Sequence, residues 1–76
     1  MKYPAIFKKE KDGKYSVSFP DFKGGNFGVC VSCGDTLGEA KDNAIEALKL
    51  HIEGLFADGK KLPEPSLVSF IVFENL

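Results

Sequence analysis

Tryptophan is absent from this chain of 76 residues, histidine occurs once, and there are two cysteines. Two cysteines allow at most one disulfide, too few to staple a small secreted scaffold. Neither sign of charge dominates. Ten basic against eleven acidic residues leave a net charge of −1, and the pI is about 5.7. The basic stripe that marks nucleic-acid binding is therefore missing, while a basic protein partner is electrostatically acceptable. No apolar run approaches the roughly 20 residues needed to span a bilayer. The start, M-K-Y-P-A-I-F-K-K, lacks the uninterrupted apolar core of a secretion signal. There is no internal repeat and no low-complexity tract. These absences lead to the expectation of one cytoplasmic domain spanning residues 1–76.

What is present is a folding composition. Apolar residues make up 43% of the chain, with seven Phe and two Tyr among them. A chain of this size buries only about 60% of its unfolded surface. So many aromatics in so small a core point to a subunit contact, where aromatics are enriched.

The longest periodic stretch runs from Asp35 to Asp58 and reads as a single helix. Thr36 and Glu39 have capping-box spacing: the hydroxyl takes an N–H of the first turn, and Glu39 reaches back to the N–H of Thr36. Leu37, Ala40, Ala44, Ala47, Leu48, His51 and Leu55 recur at threes and fours, as one helix face requires. Ile45 and Ile52 widen that stripe, and Lys41, Asp42, Glu46, Lys49 and Glu53 fall on the wet side. Gly59 is placed to end the helix, and Lys60 and Lys61 suit its negative end.

Around the helix lie segments with strand character. Tyr3 to Lys8 is a first strand, with Pro4 at its start or on an edge. The turn Glu10-Lys11-Asp12-Gly13 carries the Asp-Gly hairpin signal. In Lys14 to Phe19, Tyr15, Val17 and Phe19 alternate with Lys14, Ser16 and Ser18, as in a half-buried strand. Pro20-Asp21 is expected to end it, leaving Phe22 to Gly28 as a glycine-rich loop. Val29 to Ser32 is a short third strand, and Cys33-Gly34-Asp35 turns into the helix. The connector L-P-E-P-S should be extended. Leu67 to Phe73 is a last strand, apolar on both faces. One helix covers one face of a sheet, so Val68, Phe70 and Val72 are expected in an oligomer interface, a homodimer or higher. The expected fold class is α+β: a two-layer α/β sandwich in the order β-β-β-α-β, with spatial order 3-2-1-4 and the last strand parallel to the first.

Three pieces in this order, Y-P-A-I-F, D-G-K-Y-S-V-S-F-P-D-F and G-D-T-L-G-E-A-K-D-N-A-I-E-A-L followed by L-P-E-P-S, resemble the N-terminal domain of HicB-type antitoxins over roughly residues 3 to 66. The resemblance implies a partial ribonuclease H-like fold. It implies an antitoxin that neutralises a small basic mRNA interferase, the HicA-like toxin, by protein–protein contact. Family members usually carry a C-terminal DNA-binding domain. This sequence stops at Leu76, so sequence-specific DNA binding by this chain is not expected. The loop after Pro20-Asp21-Phe22 is also longer than the family's usual connection, with the insertion around Gly25 to Val29. The alternative is a stand-alone dimeric domain that binds another ligand or RNA.

A ribonuclease H-like fold raises the question of catalysis, which needs carboxylates around two metal ions, one from the middle of the first strand. That strand offers Tyr3, Ala5, Ile6 and Phe7 and no acid, leaving Glu46 and Glu74 nearby. The chain is therefore read as no enzyme, with no catalytic residue, metal or cofactor. Cys30 and Cys33 form C-x-x-C, but on a strand residues three apart point to opposite faces, and His51 alone does not complete a zinc set. Two reduced thiols are expected, with Cys30 partly buried. His51, on the apolar stripe, is expected to be a satisfied core or interface histidine. Asp21 either caps its own turn or faces the partner. Phe22 and Phe27, on the glycine-rich loop, are candidate contact aromatics, with Asp42, Glu46 and Glu53 on the helix as the charged alternative.

Overall fold

The computed structural model describes residues 3–65 and the backbone of 72–75. Strands β1 (Ile6–Lys9), β2 (Tyr15–Lys23) and β3 (Val29–Gly34) precede one helix, α1 (Leu37–Ala57), and strand β4 (Val72–Asn75) follows it. The sheet order is β3-β2-β1-β4. Neighbours are antiparallel except β1 and β4, which run parallel. This α+β architecture has the order and directions expected from the sequence. β1 begins later than Tyr3, because Pro4 has no N–H to give a ladder. β4 reaches Asn75, two residues past the expected end, with Val72 in register beside Ile6. Val68 and Phe70 lie outside the described residues.

The registers sort the sheet into two faces. Phe7 pairs with Val17, and both are buried beneath α1. Ile6 pairs with Ser18 and Lys8 with Ser16, so these residues belong to the opposite face. Val31 pairs with Ser18 and Cys33 with Ser16, which adds Val31 and Cys33 to that open face.

β2 departs from expectation at Pro20-Asp21. The strand does not end there. Its ladder with β3 breaks between Ser18 and Lys23 and then resumes, Lys23 facing Val29. Proline has no N–H for the ladder, and a bulge absorbs it. The bulge also shifts the side-chain parity. By strict alternation Asp21 would follow Val17 and Phe19 inward; instead Phe22 does, and it is 2% exposed. β3 likewise runs through Cys33 and Gly34, since Gly34 pairs with Tyr15. Gly34 is where the start of α1 crosses the sheet: a Cβ there would collide with the backbone of Ala40.

α1 is about 32 Å long at 1.5 Å per residue. The Thr36 hydroxyl accepts from the N–H of Glu39 at 3.1 Å. The return contact differs from a standard capping box, because Glu39 Oε1 accepts from the N–H of Asp35, not Thr36, at 3.2 Å. At the other end Lys60 N–H donates to the Leu55 carbonyl and Gly59 N–H to the Phe56 carbonyl. Gly59 has φ +70°, so this is a Schellman stop and needs a residue that tolerates the left-handed region. The buried arc of α1 is narrower than the stripe read from sequence. Ala40, Ala44 and Leu55 are buried, but Leu37 and Ile45 are exposed. Small alanines let the helix approach β2 and β3 closely, and the flanking side chains then stay outside.

Candidate partner interface

The bulge in β2 and the loop behind it form a connected cluster under the C-terminal half of α1. Phe22 sits between two rings. Tyr3 approaches edge-on at 4.9 Å between centroids, and His51 at 5.1 Å. Such geometries are favourable beyond simple burial. The Tyr3 hydroxyl donates to the Pro63 carbonyl at 2.7 Å, tying the post-helix connector to the start of the chain. Burial raises the Tyr3 phenol above its ordinary pKa of 10.0, and the Asp21 and Glu64 carboxylates add to the rise. His51 Nε2 lies 2.7 Å from the Phe27 carbonyl oxygen. A carbonyl only accepts, so His51 holds its proton on Nε2. The lone histidine is thus satisfied, as expected, and it fastens the loop to the helix.

This geometry corrects one candidate. Phe22 is no loop aromatic; it is a core residue and presents no surface to a partner. Asp21, in the bulge, is half-buried. Phe27 sits in a single 3-10 turn, Gly25–Phe27, packed partly against the core. With Gly24, Asn26, Lys60 and Lys61 it lines an open depression at the end of α1.

Asp42, Glu46 and Glu53 are all exposed on α1. At about 100° per residue they fall within about 40° of one another, on the side of the helix turned away from the sheet. Leu50 stands beside them, one turn beyond Glu46 and just before Glu53, and is 58% exposed. The sequence reading passed over Leu50. Its signal was its position: a leucine off the apolar stripe, between two acids of the wet face. Phe56 was also passed over; it is exposed on the opposite side of the same acid arc, about 40° from Asp42 around the helix.

The two cysteines separate as strand geometry requires. Cys30 is buried, which raises its thiol pKa, and Cys33 is exposed. Among the described residues no group of three or more His, Cys, Asp or Glu side chains converges to hold a metal ion. Among the same residues no helix is long and apolar enough to cross a membrane.

The family model for the HicB-like antitoxin of bacterial toxin–antitoxin systems matches residues 3–75. The chain belongs to the HicB-like antitoxin family. It is similar to antitoxin HicB 1 of Photorhabdus laumondii, 37% identical over 68 residues, covering 90% of this chain and 41% of that protein. A 14.9 kDa protein from the rep-hol intergenic region of Haemophilus phage HP1 is 48% identical over 64 residues, covering 84% of this chain and 44% of the phage protein. The HicB-like chain thus spans less than half the length of either. A UPF0150 protein of Synechocystis is 39% identical over 66 residues and is covered to 77% of its length. No solved structure matches the chain.

Proposed function

We propose that this HicB-like chain is a cytoplasmic antitoxin that neutralises a small basic ribonuclease, a HicA-like toxin, by covering its active site through protein–protein contact and without chemistry of its own. The family membership supports the antitoxin role. The observation that carries the choice of surface is Leu50 standing exposed beside the arc of Asp42, Glu46 and Glu53, about 40° from Glu46 around α1.

The physical logic has two parts. A ribonuclease that grips phosphate is basic, and a row of carboxylates raises its association rate by steering. Steering does not block an active site. That requires an apolar anchor whose surroundings exclude water, with charges at the rim. Leu50 is the anchor, and the three acids are the rim. A helix presented this way fills a groove with residues spaced by one turn. No sequence-specific DNA binding is expected of the chain, since a net charge of −1 supplies no electrostatic footprint for a phosphate backbone.

The test is co-expression with a short reading frame beside this one that encodes a basic protein, followed by pull-down. The account predicts a stable complex that Leu50→Asp disrupts while the variant stays folded. Capture unaffected by Leu50→Asp would move the contact elsewhere. No complex with any adjacent frame would favour a stand-alone domain that binds another ligand or RNA.

A further inference from the structure

The loop insertion around Gly25 to Val29 contributes nothing to the outer face of α1, yet it is firmly built. Gly24 N–H donates to the Gly28 carbonyl at 2.8 Å and closes the loop, and within it Phe27 N–H donates to the Gly24 carbonyl at 3.2 Å. His51 holds the Phe27 carbonyl from the helix side. This braced loop is one wall of the depression at the end of α1, which measures about 480 Å³ and is lined by Gly24, Asn26 and Phe27 on the loop and by Lys60 and Lys61 after the helix. The lysine wall is fixed as well. Lys60 N–H is bound to the Leu55 carbonyl at 2.9 Å, and two residues past Lys61 the Pro63 carbonyl is held by Tyr3.

Lysines that follow a helix offset the negative end of its dipole, so the two charges alone make no site. Their surroundings do. Among the described residues neither Lys60 nor Lys61 has an ion-pair partner, and no carboxylate lines the depression. One half-buried aromatic ring and one exposed amide complete it. A cavity of this size suits a small molecule, and two free cations select an anion. A lysine ammonium grips phosphate as a point charge. An aromatic side chain stacks a base, and an amide matches the donors and acceptors of a base edge.

We propose that this depression is a nucleotide site, in which Lys60 and Lys61 hold the phosphate of a single nucleotide while Phe27 and Asn26 receive its base. A free nucleotide and a nucleotide within an RNA strand offer the same chemistry. The free nucleotide is the better match, because a strand needs a basic track along which to run, and the net charge of the chain is −1. The site uses none of Leu50, Asp42, Glu46 and Glu53, so it stands or falls apart from the antitoxin role.

The experiment is an amide NMR titration of the whole chain with AMP and with UMP, beside inorganic phosphate, adenosine and a short single-stranded RNA without terminal phosphates. At least one nucleotide should move the amides of Gly24, Asn26, Phe27, Lys60 and Lys61 saturably, with half-saturation at or below about 1 mM. Phosphate and adenosine should each bind about tenfold more weakly or worse, and the RNA no more tightly than the nucleotide. Changing Lys60→Gln and Lys61→Gln together should weaken the nucleotide about tenfold, and Phe27→Leu should weaken it while leaving phosphate as it was. Saturation by neither nucleotide overturns the proposal. So does saturation at other residues, phosphate binding as tightly as the nucleotide, or indifference to the lysine changes. An RNA that binds more tightly than either nucleotide overturns the free nucleotide as ligand. Both lysines are exposed, so the double variant decides the matter should Phe27→Leu not fold.

Discussion

His51 donates from Nε2 to the Phe27 carbonyl across 2.7 Å, and that one bond joins the helix to the glycine-rich loop. The loop packs tightly there, since a Cβ at Gly28 would lie 2.9 Å from the His51 ring. Removing the ring leaves a partly buried carbonyl unpaired and takes the edge contact from Phe22. His51→Ala should therefore lower stability by about 2 kcal/mol. Urea denaturation checks this, and no change would show that the loop holds itself.

Phe22→Ala should be far more damaging than its place between Asp21 and Lys23 suggests. Truncating a buried Phe costs about 3–5 kcal/mol, comparable with the whole stability of a small domain. Loss of the cooperative transition in thermal denaturation is expected. Phe27→Ala, at a half-buried site, should keep it.

Two glycines, one inside α1 and one just past its end, should respond with opposite signs. Gly54 lies inside α1, and a Cβ there meets nothing within 4 Å. Gly54→Ala should stabilise by about 0.5–1 kcal/mol. Gly59 sits at φ +70° in the Schellman stop, so Gly59→Ala should destabilise by about 1 kcal/mol or more. Paired denaturation curves settle both.

Tyr3 gives the chain an alkaline limit. Its pKa is raised in the folded state, so between the ordinary value of 10.0 and the raised value the folded chain binds more protons than the unfolded one. Stability from this group is fully present below pH 10 and falls as pH rises through the folded pKa. Tyr3→Phe should flatten that fall, and should also lower stability at neutral pH by about 1 kcal/mol through loss of the Pro63 bond. Melting temperatures of both chains across the alkaline range provide the check.

The strands, the helix and their order were legible because each rests on local chemistry. Alternation around Val17, the Asp12-Gly13 turn, Thr36 at the cap and Gly59 at the stop are read one element at a time. The bulge was not legible in that way. Proline inside a strand pattern signals an end as readily as an insertion, and only the resumed pairing of Lys23 with Val29 distinguishes them. Misplacing Phe22 followed directly, since the bulge reverses which residue points inward. The charged part of the candidate interface, Asp42, Glu46 and Glu53, followed from helical periodicity. Its apolar centre, Leu50, became visible only once the buried arc of α1 proved narrow.

The outer face of α1 is tested most directly by an RNA-cleavage assay with a basic HicA-like ribonuclease, the partner proposed above, titrated with the parent and with single variants. The account predicts that the parent abolishes cleavage and that Leu50→Asp weakens inhibition about thirtyfold or more, as loss of a central anchor does. Glu53→Gln should mainly slow association, and Phe27→Ala should inhibit like the parent. Full inhibition by Leu50→Asp together with released cleavage by Phe27→Ala would contradict the account and place the contact on the loop.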